Sequence, residues 1–340
     1  MLYIKNVSSI FIYESKMLFC IKYIMVKRKF DFEEVNLVPK LCVVDSRSEC
    51  DTSIVFGGNK FKLPIVPANM QSIIDENIAI KLAENGYFYI LHRFDIDIVK
   101  FMYKMKSLNL ITSISIGVNE DSYKLIDELI EKELIPDYIT IDIAHGHSIK
   151  LKNMIVFLKN KNIKSFIIAG NVCTQEGCAD LINWGADCIK IGIGPGSACT
   201  TWPTTGFGSR NCQASTIYNC TIVTGQTPVI CDGGIKVPAD ISKAIVLGAT
   251  MCMIGGMLSG FKDSPGHLVE VDGKKKKEFW GSASQFQSGK TNRIEGKKIL
   301  VDYKDISILD KLIYIEECIQ SAISYSGGTD LKSFKKTNFI

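Results

Sequence analysis

A (β/α)8 barrel, the TIM-barrel class, is the fold this sequence predicts, on three observations. Eight short apolar runs rich in β-branched residues recur from residue 62 onward. Strands of a parallel sheet covered by helices on one face and packed on the other need that composition. Each run is followed by a helix-length segment, such as "DENIAIKLAENG" (75–86), which starts acidic and stops at glycine. Finally, the GxGxxG fingerprint of a doubly wound open sheet does not occur in the required strand-to-helix setting, and "GIGPGS" (192–197) matches it only in part. Right-handed crossovers then make closure of a parallel sheet the natural topology.

In chain order the runs are "KLPIVPAN" (62–69), "YFYILHRF" (87–94), "ITSISIGV" (111–118), "YITIDIAHG" (138–146), "SFIIAGNV" (165–172), "CIKIGIGPG" (188–196), "PVICDGG" (228–234) and "TMCMIGGM" (250–257). Their spacing is regular except at two places. A long loop follows the sixth run after Cys199, and a flap of about 261–303 follows the eighth. The flap contains "VDG", which predicts a hairpin turn, a lysine tetrad at 274–277 expected to be a solvated tip, and "GKTNRIEGKK" (289–298). Barrel enzymes place their chemistry on loops at the C-terminal ends of the strands, so extra length there is informative.

The N-terminal stretch is apolar but broken by Lys5, Glu14, Lys16 and Lys22. No run approaches the ~20 residues of a membrane span. A small-residue cleavage site is lacking and no arginine occurs before Arg28, which argues against secretory and mitochondrial signals. Residues 1–24 are therefore expected to be a dispensable extension, with one catalytic domain over 25–340. A net charge of +4, with no basic run interleaved with aromatics, argues against a nucleic-acid partner. Twelve cysteines without a CxxC pair, and four histidines, argue against zinc-ribbon and thioredoxin readings. Mostly buried, reduced thiols in a cytoplasmic protein are the expectation.

Candidate chemistry clusters at the ends of the runs. "DGG" (232–234) and "IGG" (254–256) end the seventh and eighth, where barrels cradle phosphate on backbone amides. Asp232 disfavours phosphate itself and suits paired ribose hydroxyls, so the ligand reads as a nucleotide. Cys199 follows a glycine-rich turn that can stabilise a thiolate or, through its carbonyls, a monovalent cation. Asp142 and His145 after the fourth run, and Asn69 and Gln71 after the first, are expected to line the same mouth.

These residues resemble the IMP dehydrogenase/GMP reductase family. The resemblance rests on "GIGPGSACTT", "GNV", "DGGI" and "IGGML" in that family's order. It is closer to the reductase branch of Gram-positive bacteria, through "PANMQSIIDENIAIKLAENGYFYILHRF", "YITIDIAHGHS", "TGFGSRNCQ", "WGSASQFQ", "EGKK" and "SAISYSGGT". The match spans roughly 30–336. The dehydrogenase branch usually carries a large regulatory insertion after the second strand, where only residues 95–110 stand here. It also uses an Arg-Tyr pair on the flap, whereas Arg293 here has no following tyrosine.

The resemblance implies an NADPH-dependent oxidoreductase that converts GMP to IMP and ammonia in purine salvage. Cys199 would be the nucleophile forming a thioimidate, and Thr201 with Glu295 a proton relay. Carbonyls of Gly194, Gly196 and Cys199 would hold a potassium ion. Substrate would meet Asp232, Gly233, Gly234, Gly255, Gly256, Ser282, Ala283, Arg293 and Gly296. Ser46, Arg47, Asp142, Ser324 and the segment between Pro228 and Met251 would face the cofactor. A homotetramer is implied as well. The sequence departs from the family at Trp202, where Arg or Lys is usual, in the segment after the cysteine, and in a tail, "KKTNFI", that ends short of the usual one. Competing readings are an IMP dehydrogenase, a non-catalytic nucleotide-binding barrel, and a Schiff-base barrel using Lys190, the one lysine inside a core run.

Overall fold

The computed structural model describes residues 29–284 and 295–340; the expected extension (1–24) and Arg293 lie outside the described residues. Seven parallel strands form one curled sheet in the order β3-β9-β8-β7-β6-β5-β4. These are β3 (Ile65–Pro67), β4 (Ser113–Ile116), β5 (Tyr138–Asp142), β6 (Phe166–Val172), β7 (Cys188–Ile191), β8 (Val229–Asp232) and β9 (Met251–Ile254). The second predicted run joins the ring as a single bridge. The Leu91 N–H donates to Ser113 O at 3.1 Å and the Ser115 N–H to Leu91 O at 3.0 Å. With that run the architecture is the predicted (β/α)8 barrel.

Alternation along the strands separates two layers of core. Val66, Phe88, Ile90, Tyr138, Ile168, Cys188, Ile230, Met251 and Met253 face the barrel interior. Their sequence neighbours, such as Tyr89, Leu91, Ile139, Ile167, Ile189 and Cys252, pack instead in the larger cluster shared with the helices. Period-2 patterning with both faces apolar is what a helix-covered barrel strand requires. Helices α1 (Glu76–Glu84), α2 (Ile98–Ser107), α3 (Glu120–Glu131), α4 (Ile149–Asn160) and α5 (Gln175–Trp184) follow the earlier strands. Side-chain caps fix the starts of all of these but α3: Asp75 accepts from the Ile78 N–H at 2.8 Å, and Thr174 from the Gly177 N–H at 3.1 Å.

A hairpin of β1 (Ile54–Phe56) and β2 (Asn59–Phe61), which the sequence did not suggest, puts Phe56 and Phe61 into the interior layer. The Tyr138 hydroxyl donates to Phe56 O at 2.6 Å and locks the hairpin to β5. Aromatic side chains thus fill the N-terminal end of the barrel.

Two excursions elaborate the opposite end. The loop after β7 contains α6 (Thr201–Thr205) and α7 (Gln213–Thr224); α8 (Pro238–Val246) follows β8. After β9 the flap forms an antiparallel sheet of β10 (Leu268–Val271), β11 (Lys274–Trp280) and β12 (Lys298–Asp302), and α9 (Ile308–Tyr325) closes the domain. The "VDG" turn is a hairpin as predicted, with Asp272 and Gly273 both at positive φ. The lysine tetrad is only in part its solvated tip, with Lys274 and Lys275 exposed. It opens β11, and its last member, Lys277, is buried with its ammonium donating to the carbonyls of Lys262 and Ser264.

Candidate active site

At the C-terminal end of the strands lies a cavity of about 1150 Å3. Its floor is built on strand ends. Lys190, central in β7 between outward-facing Ile189 and Ile191, points its stem inward, where Gly170 leaves room for it. A Cβ on Gly170 would lie 2.7 Å from the Lys190 Cβ. The Lys190 ammonium, on a side chain only 2% exposed, lies 2.8 Å from Asp142 Oδ1 and 2.6 Å from Asp232 Oδ2. Asn171, at the end of β6, donates from Nδ2 to the same Asp232 oxygen at 2.8 Å and to Gly192 O at 2.6 Å.

Electrostatics follow from this geometry. Burial pushes the Asp142 carboxyl up, but the Lys190 ammonium, aided by Arg93 and Asn69, outweighs it and holds the group below its ordinary value. Burial opposes the charge on Lys190 as well, and the two carboxylates overcome it and raise the group above the usual lysine range. Lys190 is thus a fixed cation and not an amine available as a nucleophile, which removes the Schiff-base reading.

The rim is built from the two excursions. Cys199 and Gly296 form an antiparallel bridge, with the Thr200 N–H donating to Glu295 O at 3.0 Å and the Lys297 N–H to Ala198 O at 2.9 Å. This pairing sets one continuous side-chain chain: Cys199 Sγ lies 3.2 Å from Thr201 Oγ1, which donates to Glu295 Oε2 at 2.7 Å. Cys199 is partly exposed to the cavity. By contrast, burial pushes the thiols of Cys188, Cys231 and Cys252 well up and keeps them neutral.

Backbone shape brings floor and rim together. Gly192 sits at φ +143, and a Cβ there would lie 2.0 Å from Asp232 O; Gly233 sits at φ +85, and a Cβ on it would lie 2.9 Å from Pro195 Cγ and 3.1 Å from Gly196 N. A side chain at either position would force the β7 and β8 loops apart. The buried Gln213 at the start of α7 donates to Ile191 O at 2.9 Å and ties the loop after β7 to its strand.

A model of the IMP dehydrogenase / GMP reductase domain matches residues 29–339. The chain belongs to the IMP dehydrogenase/GMP reductase family. It is 51% identical over 311 residues to a protein of Albidiferax ferrireducens named GMP reductase, with 92% of this chain and 95% of that protein covered. Proteins of the same name from Lysinibacillus sphaericus and Mesoplasma florum are 50% and 49% identical over 312 residues each. Both alignments cover 92% of this chain, with 95% and 97% of the respective relative.

The residues to which the family resemblance pointed divide into two groups. Cys199, Thr201, Glu295, Asp232, Gly233, Gly234, Gly255, Gly256, Ser282, Ala283, Asp142, Gly194 and Gly196 all line the one cavity. Gly296 stands against Cys199 in the bridge. The others lie elsewhere. Pro228 and Met251 precede or open their strands, at the opposite end of the barrel, with Met251 fully buried in the interior layer. A stretch contiguous in sequence here runs the length of the barrel, so both of its bounds fall away from the mouth. Ser46 caps a short turn on the exterior, accepting from the Ser48 N–H, and the buried Ser324 hydroxyl donates to Ser321 O at 2.7 Å. Arg47 borders a second cavity of about 750 Å3, which shares Val237, Pro238 and Tyr314 with the first.

Of the mouth residues expected from the sequence, Asn69 lines the cavity, whereas neither the exposed His145 nor Gln71 is among the lining residues. One floor residue was missed, Asn171, visible only as the middle of "GNV", and Lys190 was singled out only for the Schiff-base reading, as a charge inside an apolar run. Trp202 is 44% exposed, with the Arg210 guanidinium 5.5 Å from its ring centre. Among the described residues no three His, Cys, Asp or Glu side chains are grouped to hold a metal ion, and no helix is long and apolar enough to cross a membrane.

Proposed function

We propose that this protein is a GMP reductase, taking GMP and NADPH to IMP, ammonia and NADP+ and so returning guanine nucleotide to the IMP pool. The observation that carries the reading is the chain Cys199–Thr201–Glu295, at 3.2 and 2.7 Å, opening on a cavity floored by Asp232. Relatives about half identical bear the name GMP reductase, which supports the same reading.

In this reading the Asp232 carboxylate accepts from the ribose hydroxyls, and the glycine pairs 233–234 and 255–256 offer backbone amides to the phosphate. Ser282 and Ala283 flank the base. The Cys199 thiolate bonds to C2 of the purine, the C2–N bond breaks, and the amino nitrogen takes a proton and leaves as ammonia. The product is a thioimidate on Cys199. An amine leaves readily only when protonated, so a general acid is needed, and Thr201 relays that proton from Glu295. NADPH, when bound, supplies the hydride that C2 requires. The S–C2 bond then breaks and Cys199 returns to the thiolate.

Space and chemistry both suit a second ligand. Ligand sites usually measure ~300–1000 Å3, and this cavity exceeds that range, leaving room for a nicotinamide beside the purine. Asp142 stands on that side, and Asn171, whose Nδ2 donates to Asp232, leaves its Oδ1 buried without a hydrogen-bond partner among the described residues. The carbonyls of Gly194, Gly196 and Cys199 are neutral oxygen donors of the kind a potassium ion takes. We infer a homotetramer acting in the cytoplasm.

Replacing Cys199 with Ala tests the reading. Turnover of GMP with NADPH should fall below detection while GMP still binds, and substantial residual turnover would remove the covalent route. Oxidation of IMP by NAD+ as the dominant activity would replace the reductase reading with the dehydrogenase one.

A further inference from the structure

Lys190 takes no part in the mechanism above, yet it is the most completely buried cation among the described residues. Its partners stand on strands that are not neighbours: β5 carries Asp142 and β8 carries Asp232, with β6 and β7 between them. Both carboxylates reach one ammonium, at 2.8 and 2.6 Å. The other charged or polar groups facing this cluster are Arg93 and Asn69 toward Asp142 and Asn171 toward Asp232. One fixed charge therefore stands between the side of the cavity assigned to ribose and the side assigned to the cofactor.

We propose that Lys190 is the positioning residue of this site, holding Asp142 and Asp232 in acceptor form on the two sides of the cavity floor. The proposal rests on the nucleotide reading of the cavity. Its physical basis is the cost of two carboxylates sharing a poorly solvated space. Without an intervening cation such a pair retains a proton well above the ordinary carboxylate range, and the proton belongs to the pair. A protonated carboxyl turns one oxygen into a donor and no longer offers one charged acceptor oxygen to each ribose hydroxyl. Lys190 removes that choice, so the acceptors on both sides are formed before any ligand arrives.

The test compares the wild type with Lys190→Met and with the double variant Lys190→Met/Asp142→Asn. Infrared titration reads the protonated-carboxyl band, and equilibrium dialysis reads GMP affinity, both from about pH 6.5 to about pH 8.5. In Lys190→Met we expect a carboxyl band near neutral pH that the wild type lacks. Its GMP affinity relative to wild type should improve about tenfold as pH rises across that range and the shared proton is lost. The double variant leaves a single carboxylate, so the band should vanish and GMP affinity should recover.

A folded Lys190→Met protein with no new band and unchanged relative affinity at every pH overturns the proposal. So does an affinity loss that is the same at every pH and is not rescued by Asp142→Asn, which is what a packing role alone would give. If Lys190→Met does not fold, a folded, GMP-binding double variant supports the proposal, and an unfolded one overturns it. The infrared arm needs no ligand: a wild type that binds no GMP defeats the substrate reading, while the band still decides the role of Lys190.

Discussion

At the floor of the cavity the polar groups stand on strands, and at the rim they stand on loops. Lys190, Asp142 and Asp232 are fixed by the parallel register of β5 through β8, in which Asp142 lies opposite Gly170, Gly170 opposite Lys190, and Lys190 opposite Ile230. Cys199, Thr201 and Glu295 depend on a single bridge between two excursions, one after β7 and one after β9. In the proposed reaction the floor would bind a part of the substrate that does not change, and would gain from rigidity, because acceptors already in place spare the cost of ordering them. At the rim the same proposal requires a bond to form and break and a proton to move. Groups carried by two separate loops can adjust to that sequence, as strand residues cannot.

That division makes separable predictions. After Cys199→Ala, Glu295→Gln, also at the rim, should give the largest loss, ~10²–10⁴-fold in ammonia release, the usual range for general acid–base catalysis. Hydride transfer to a preformed adduct should suffer less. Rapid-quench kinetics separate the steps, and equal slowing of both would break the assignment of the relay. Asp232→Ala acts at the floor and should raise KM for GMP by ~10–100-fold, the worth of charge-assisted hydrogen bonds of about 1.5–3 kcal/mol. The value of kcat should change less, and a loss confined to kcat would move Asp232 from binding into chemistry.

Acidity offers a third test, of the floor alone. The folded Asp142 carboxyl is held low by Lys190, so its contribution to stability is complete above the unfolded value of ~3.9 and is lost as pH falls through the lower folded value. Lys190 is raised, so its contribution is complete below ~10.4 and is lost only as pH climbs through the higher folded value. The floor should therefore contribute a constant amount to Tm from about pH 5 to 9. A Tm difference between wild type and Lys190→Met/Asp142→Asn that drifts across that window would contradict the ion cluster. The smallest effect is expected from deleting residues 1–24, which should leave kcat and KM unchanged, and an inactive but folded product would show that the extension serves the site.

Much of this was readable in the chain. β-branched runs, an acidic helix start at Asp75, and glycines at strand ends announce a barrel and locate its mouth, because each signal is local. The second strand was readable as a run but forms only one bridge, since Phe88 and Ile90 hold it mainly by packing inside the barrel. What escaped was whatever depends on residues distant in sequence. The role of Lys190 needs β5 and β8 brought to β7, and the burial of Lys277 needs the carbonyls of Lys262 and Ser264 across the flap. Pro228 and Met251 show the converse: nearness in sequence to Asp232 does not carry a residue to the cavity when a strand lies between.

The central claim is tested most directly by incubating the protein with GMP and NADPH and measuring nicotinamide oxidation and ammonia in the same tube. One ammonia formed for each NADPH consumed, with IMP as the product, is the result this account predicts. Tight GMP binding without turnover, or ammonia out of proportion to NADPH, would contradict it.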